Sequence, residues 1–202
     1  RPEHLIAWWS RIFSFYVPGE IDCIRLRFLC RLFRDALKPP PKGMFTTFPH
    51  LNHTSLGSLV VRCHALYDKD PKRAPTVVFI ASGTFSNSRT VTIKYPMRLI
   101  GAGQNKTFLS GCEICVEGTN EKGKIVALKD FTSNRSSGCG VYNNNGLSFL
   151  CERMTFTQCR KSGVWVQNTK GRFINCVITQ CRCSGICSGV NALVELEGSQ
   201  TK

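Results

Sequence analysis

Acid is scarce in this chain and histidine scarcer still. Thirteen Asp and Glu stand against 27 Lys and Arg among 202 residues, for a formal net charge of +14. The four histidines, His4, His50, His53 and His64, precede the last two thirds of the sequence. No Ser-His-Asp or Cys-His arrangement can therefore be drawn from the C-terminal part. Between Pro75 and Lys202 there is no Asp-Asp, Asp-x-Asp or Asn-x-Asp, and Glu113, Glu117, Glu121, Asp130, Glu152, Glu195 and Glu197 are scattered. Cys112 and Cys115 form one C-x-x-C, but neither a second pair nor a histidine pair completes a zinc module. The glycines at Gly101 and Gly103 lack the third glycine and following helix of a dinucleotide site, and the Gly-Lys-Ser/Thr of a P-loop. No metal and no cofactor are expected. Apolar runs are short: Leu5–Val17 is broken by Arg11, is too short to span a bilayer, and lacks a small-residue cleavage site. No membrane span and no signal peptide are expected.

An apolar content of 42% is enough for one sizeable domain and a small accessory element. The basic excess raises the expectation of an anionic partner. No tight Lys/Arg run with interleaved aromatics is present, which disfavours nucleic acid. Twelve cysteines without a secretory leader read as reduced thiols in the cytoplasm or nucleus, mostly stacked inside the fold. A chain opening on Arg1 rather than Met reads as a processed product or a piece of something longer.

What is abundant is repetition. Cys151, Met154, Phe156, Thr157, Gln158 and Cys159 reappear as Phe173, Cys176, Ile178, Thr179, Gln180 and Cys181, about 22 residues on. Ser162-Gly163-Val164 returns as Ser184-Gly185-Ile186, with Gly140-Val141 one unit earlier. Turn formers at Asn143–Gly146 and Asn168–Gly171 separate the apolar runs. Val164 and Val166 alternate with polar neighbours, as do Met154 and Phe156, the period-2 signature of strands with one buried face. Short strands and polar turns at this period predict a mainly β chain, a right-handed parallel β-helix whose coils stack residue on equivalent residue. The leucine framework of a leucine-rich repeat is missing. Cys159 over Cys181 becomes one ladder position. In the less regular coils of Thr107–Ser133, Ile125, Ala127 and Phe131 are the expected inward residues.

The first 43 residues are different material. Leu5, Ile6, Trp9, Ile12 and Phe13 recur at helical spacing, Pro18-Gly19 interrupts, and Asp22 starts a second helix carrying Leu26, Leu29, Cys30, Phe33 and Leu37. Pro39-Pro40-Pro41 ends it. Residues 44–74 read as a connector with a capping helix showing Leu56, Leu59, Val60 and Cys63 on one face. Repeats occupy residues 75–202. No amphipathic cap follows them, so further coils or another molecule are expected at that end.

Two resemblances attach to these segments. Pro2-Glu3-x-Leu5-Ile6, Ile12-Phe13-Ser14-Phe15, Asp22 and Leu29-Cys30-Arg31-x-Phe33-Arg34 resemble an F-box, with Arg1 in place of the usual leucine and Phe33 in place of the usual tryptophan. Ile80-Ala81-Ser82-Gly83-Thr84-Phe85 and Ile100-Gly101-Ala102-Gly103 are similar to the first coils of pectate-lyase-like β-helix proteins. Together they resemble the F-box proteins with β-helix repeats of the carbohydrate-binding and sugar-hydrolase type. The resemblance implies docking to a Skp-type adaptor and cullin ligase core through Pro2, Leu5, Ile12, Phe13, Leu26, Cys30 and Phe33, with the β-helix recognising an unknown protein or glycan. Arg153, Arg160, Lys161, Lys170, Arg172 and Arg182 dominate the exposed side of the late coils, and the expected ligand face is Arg153, Arg160, Lys161, Trp165, Lys170 and Arg172. The expectation is a non-catalytic substrate receptor. The alternatives are a structural or assembly scaffold, with the N-terminal helices as a cap or clip, and a polysaccharide lyase or hydrolase, against which the scattered carboxylates count.

Overall fold

The chain divides into two units, Arg1–Lys42 and Gly43–Lys202. The structure, a computed structural model, describes residues 45–50, 52–86, 90–199 and 201, all within the second unit. The F-box-like segment, with Pro2, Leu5, Ile12, Phe13, Leu26, Cys30 and Phe33, lies outside the described residues.

The described residues form a parallel β-solenoid with one helix. After β1 (Phe45–Phe48) and α1 (Leu56–Lys69), the coils contribute three strands each. They are β2 (Val77–Ile80), β3 (Gly83–Ser86) and β4 (Val91–Ile93), then β5 (Arg98–Gly101), β6 (Thr107–Ser110) and β7 (Ile114–Val116). The third coil holds β8 (Ile125–Lys129), β9 (Thr132–Asn134) and β10 (Val141–Asn144), and the fourth β11 (Ser148–Glu152), β12 (Thr155–Thr157) and β13 (Val164–Gln167). The last holds β14 (Lys170–Ile174), β15 (Val177–Thr179) and β16 (Ile186–Ser188), and β17 (Leu193–Glu197) begins another. Face 1 runs β1-β2-β5-β8-β11-β14-β17, face 2 β3-β6-β9-β12-β15 and face 3 β4-β7-β10-β13-β16. Every strand ladder among them is parallel.

Because strand side chains alternate, each face sends one set of rows inward. Val91, Ile114, Val141, Val164 and Ile186 stack on face 3. Phe85, Leu109, Ser133, Phe156 and Ile178 stack on face 2. Val78, Leu99, Leu128, Cys151 and Phe173 stack on face 1. Most of these are wholly buried in one continuous core. Cys159 and Cys181 do occupy one ladder position, since Arg182 N–H donates to the Cys159 carbonyl at 2.9 Å, one step past the Thr157–Thr179 pair.

From the second coil on, three corners close each coil, and residues of positive φ recur at each. The first corner holds Asp130 (φ 59°), Arg153 (49°), Asn175 (51°) and Gly198 (87°); the second Gly111 (80°), Arg135 (50°), Gln158 (57°) and Gln180 (56°); the third Gly118 (91°), Asn145 (59°), Asn168 (50°) and Asn191 (52°). Asn tolerates this region better than most residues, and Asn191 Nδ2 donates to Asn168 Oδ1 at 3.3 Å up the ladder. At Gly101 the packing is tighter still. A Cβ there would lie 2.3 Å from the Asp130 carbonyl oxygen one coil on.

Helix α1 begins at Ser55, whose Oγ accepts from Ser58 N–H at 3.1 Å, and ends at Asp70 before Pro71. It buries Leu56, Leu59, Val60 and Cys63, the expected face, and packs on β4. Tyr67 stacks on Tyr95 at 4.1 Å, and Tyr95 Oη donates to the Pro75 carbonyl. At the other end the inward residues Ile178, Ile186 and Val194 are only partly buried, and Leu196 is 55% exposed.

Two expectations are corrected. Phe45–Phe48, read as connector, is a strand pairing with β2 in register Phe45 to Val77. In β8 the inward residues are Val126 and Leu128, each 0% exposed, whereas Ile125 is 45% exposed and Ala127, though buried at 4% exposure, sits in the outward row opposite Leu150. Ile125–Leu128 is continuously apolar, so alternation gives no parity, and a one-residue slip exchanges the faces. Phe131 is inward as expected, at 0% exposure.

A basic corner beside a stacked aromatic pair

The second corner gathers cations from three consecutive coils. Arg135, Gln158 and Gln180 stack there: Arg135 N–H donates to the Thr157 carbonyl at 3.0 Å, and Gln158 N–H to that of Thr179 at 3.3 Å. Their side chains continue the ladder, Arg135 Nε to Gln158 Oε1 at 3.0 Å and Gln158 Nε2 to Gln180 Oε1 at 3.4 Å. Two residues on, Arg160 and Arg182 stand one above the other, their N–H groups bonded to the Ser136 and Cys159 carbonyls of the preceding coils. Lys161 follows Arg160, its N–H held by the Gly138 carbonyl at 3.0 Å. All four cations are exposed. Among the described residues none of the four has a carboxylate within ion-pair distance.

Beneath this ridge the chain is small and tight. Gly140 and Gly163 sit where a Cβ would come within 2.7 Å of a neighbouring backbone oxygen. The notches they leave are filled first by the Phe156 ring and the Ile178 methyl, 2.7 and 2.4 Å from those Cβ positions, and then by the Cys159 and Cys181 sulfurs at 3.3 and 3.2 Å. Burial, then the neighbouring Cys181, pushes the Cys159 thiol up to about 12. The Cys159 thiol stays protonated and packs as a small hydrophobe. Cys139 N–H donates to Glu113 Oε1 at 2.7 Å, which ties a carboxylate down at the near end of the ridge.

Immediately after the corner comes face 3. Its outward row is Thr92, Cys115, Tyr142, Trp165 and Cys187, in direct register. Tyr142 and Trp165 stack on each other, centroids 6.4 Å apart and planes 25° apart. Both are half-buried, and Trp165 Nε1 is covered without a hydrogen-bond partner. Burial, then Glu117, raises the Cys115 thiol beside Tyr142 to about 12, which keeps it protonated near neutral pH.

The expected ligand face is thus two places. Arg160, Lys161 and Trp165 belong to the second corner and face 3. Arg153, Lys170 and Arg172 belong to the first corner and face 1, and each is engaged. Arg153 grips Asp130 with two bonds, Nε to Oδ1 at 2.6 Å and Nη2 to Oδ2 at 2.9 Å, and also meets Glu152. Lys170 pairs with Glu195 at 2.6 Å and Arg172 with Glu197 at 2.7 Å. Sequence reading passed over Arg135 and Tyr142 as site residues, and left Arg182 off the ligand face. The repeat carried the signal, since Arg182 lies 22 residues past Arg160, and Tyr142 lies opposite Trp165.

The remaining acids are engaged as well. Glu117 pairs with Lys94 at 3.5 Å, Glu121 with Lys124 at 2.6 Å, and Glu152 with Lys129. Burial opposes ionisation of Glu152, yet Lys129 and Arg153 hold its carboxyl below the usual range. Every carboxylate of the solenoid therefore has a cation or a backbone N–H. Among the described residues no group of three His, Cys, Asp or Glu side chains could hold a metal ion, and no helix is long and apolar enough to cross a membrane. No protein-family model matches this chain, and no curated protein or solved structure is significantly similar to it.

Proposed function

We propose that this chain is a non-catalytic interaction protein in which the solenoid is the recognition surface and the F-box-like N-terminal segment docks to a Skp-type adaptor of a cullin ligase. One observation carries the recognition half: the solenoid's seven carboxylates are each engaged, while four exposed cations at one corner have no carboxylate partner. A glycosidase needs a pair of carboxyls facing one sugar, one of them free to give a proton. Here an acid would first have to leave its partner. A rigid stack of coils, by contrast, holds side chains at fixed spacing for binding without any reaction. The proposal takes the solenoid as right-handed, the course that parallel crossover connections overwhelmingly follow.

The docking half rests on the F-box-like residues of the N-terminal segment, and its test is direct. The full chain is expected to co-elute with a Skp-type adaptor, and the Leu5→Ala and Phe13→Ala variants to lose that complex. A full chain that ignores the adaptor as completely as the variants do would overturn this half. The N-terminal segment would then be a cap or an assembly clip, and concentration-dependent self-association without any adaptor would be its mark.

A further inference from the structure

We propose that the second corner and the adjoining Tyr142–Trp165 pair form a binding site for an extended acidic peptide. The inference rests on the reading of the solenoid as a recognition surface and names what that surface takes. Three features of the structure point to it.

The first is charge. The three corners place αL residues at equivalent stations, but their chemistry differs. At the first corner Arg153 is neutralised by Asp130. The third corner is neutral asparagine. Only at the second does positive charge accumulate unpaired, in Arg135, Arg160, Lys161 and Arg182. An anionic ligand supplies what the chain itself does not.

The second is geometry. Arg160 and Arg182 occupy equivalent positions in adjacent parallel coils, about 4.8 Å apart along the solenoid axis. Alternate side chains of an extended peptide repeat at roughly 6.6–6.8 Å. Guanidinium groups on long stems span that difference and take carboxylate or phosphate oxygens two at a time. A peptide lying along the corner presents every second residue to this ridge, with the Gln180 amide nitrogen offering a hydrogen bond between the charges. Its opposite flank reaches the Tyr142–Trp165 row, which provides apolar contact.

The third is what the aromatic pair is not. A single-stranded nucleic acid stacks its bases on open ring faces, and a sugar ring wants the same. Tyr142 and Trp165 spend their facing sides on each other. Charge with polar amides and a stacked pair suits a peptide backbone better than a base or a sugar. Acidic residues and phosphorylated ones share this anionic chemistry, so the probes must separate them.

The test is fluorescence anisotropy on the full chain, with no adaptor present, so that its outcome is independent of the docking half of the proposed function. Three labelled decapeptides are used, one with alternating Glu, one with alternating phosphoserine and one with alternating Gln. A ten-nucleotide RNA and a polygalacturonate oligomer are titrated alongside. One or both anionic peptides should bind and the Gln peptide should not, and whichever binds more tightly names the source of the charge. Binding should weaken about tenfold or more in the R160Q/R182Q double variant, and again between about 50 and 300 mM salt. R153Q, whose guanidinium is already paired, should bind as the parent does. Both altered arginines are exposed, and an unchanged thermal unfolding curve for R160Q/R182Q excludes misfolding. Peptide binding that ignores the double variant would overturn the placement. Tighter binding of RNA or polygalacturonate, sensitive to the double variant, would overturn the ligand class. Failure of every probe would overturn the site.

Discussion

Asn143 should be worth more to this fold than the valine its pattern calls for. It sits in an inward row of face 3, between Val116 on one side and Val166 on the other, at 0% exposure. By shape alone Asn143→Val continues the stack and adds apolar burial of about 1 kcal/mol. The amide, however, closes the turn beyond it. Asn143 Nδ2 donates to the Leu147 carbonyl at 2.6 Å, and Oδ1 accepts from Gly146 N–H at 2.9 Å. Both bonds are buried, and valine leaves the two backbone groups without these partners. Each orphaned group costs about 1–3 kcal/mol, so the variant should lose about 1–5 kcal/mol net. For a domain of this size that lowers Tm by roughly 2–20 °C. Thermal unfolding followed by tryptophan fluorescence and far-UV circular dichroism checks it. Ser133→Ala is the control: Ser133 Oγ is equally buried but has no partner, so its loss should leave stability unchanged or up to about 1 kcal/mol higher. An Asn143→Val protein as stable as its parent would refute the reasoning.

Gly101→Ala places a Cβ 2.3 Å from the Asp130 carbonyl oxygen and 2.7 Å from Phe131 Cβ. Backbone cannot yield as a flexible side chain would, so a loss above about 2 kcal/mol or failure to fold is expected, read from soluble yield and urea unfolding. Burial of His64, and then the charge of Lys94, lowers the imidazole pKa, and Nε2 accepts from Lys94 N–H at 3.2 Å only when unprotonated. In acid the unfolded chain takes up this proton first. Stability from this site is thus complete above the ordinary imidazole value of about 6.5 and falls as pH drops below it; His64→Gln should flatten the slope of stability between about pH 7 and 5. Arg153→Gln should cost about 1 kcal/mol, discounted because the side chain is 47% exposed, and urea unfolding measures it.

The fold was legible wherever two signals coincided. From Met154 to Ile186 the 22-residue repeat and the period-2 alternation agree, and the inward rows follow from the text of the sequence. At Ile125-Val126-Ala127-Leu128 only one signal is present, because a run apolar at every position has no parity, and the reading slipped by one residue. Phe45–Phe48 carried neither. It is a strand because β2 offers it a parallel edge, a tertiary reason that no local pattern records. The site divides in the same way. Exposure of Arg153, Arg160, Lys161, Lys170 and Arg172 was readable from the repeat. Which of them already hold a carboxylate was not, since Arg153 meets Asp130 across 23 residues and Arg172 meets Glu197 across 25. Ion pairing in a solenoid runs between coils, and single-strand patterns are blind to it.

The corners make the strongest case that the basic ridge is there for something other than folding. All three need αL backbone, which costs an ordinary residue about 1–2 kcal/mol and asparagine or glycine less. The third corner meets the demand with Asn145, Asn168 and Asn191, and the second coil meets it with glycine at both the second and third corners, Gly111 and Gly118. Arginine is a poor choice on those grounds. At the first corner Arg153 is offset by its bond to Asp130. At the second, Arg135 has only the Gln158 amide, and Arg160, Lys161 and Arg182 crowd further positive charge beside it. Like charges one coil apart repel, and asparagine or serine would satisfy the same backbone. Folding of the coil thus gives no reason for the ridge, and R160Q/R182Q should be at least as stable as the parent, a result that thermal unfolding checks.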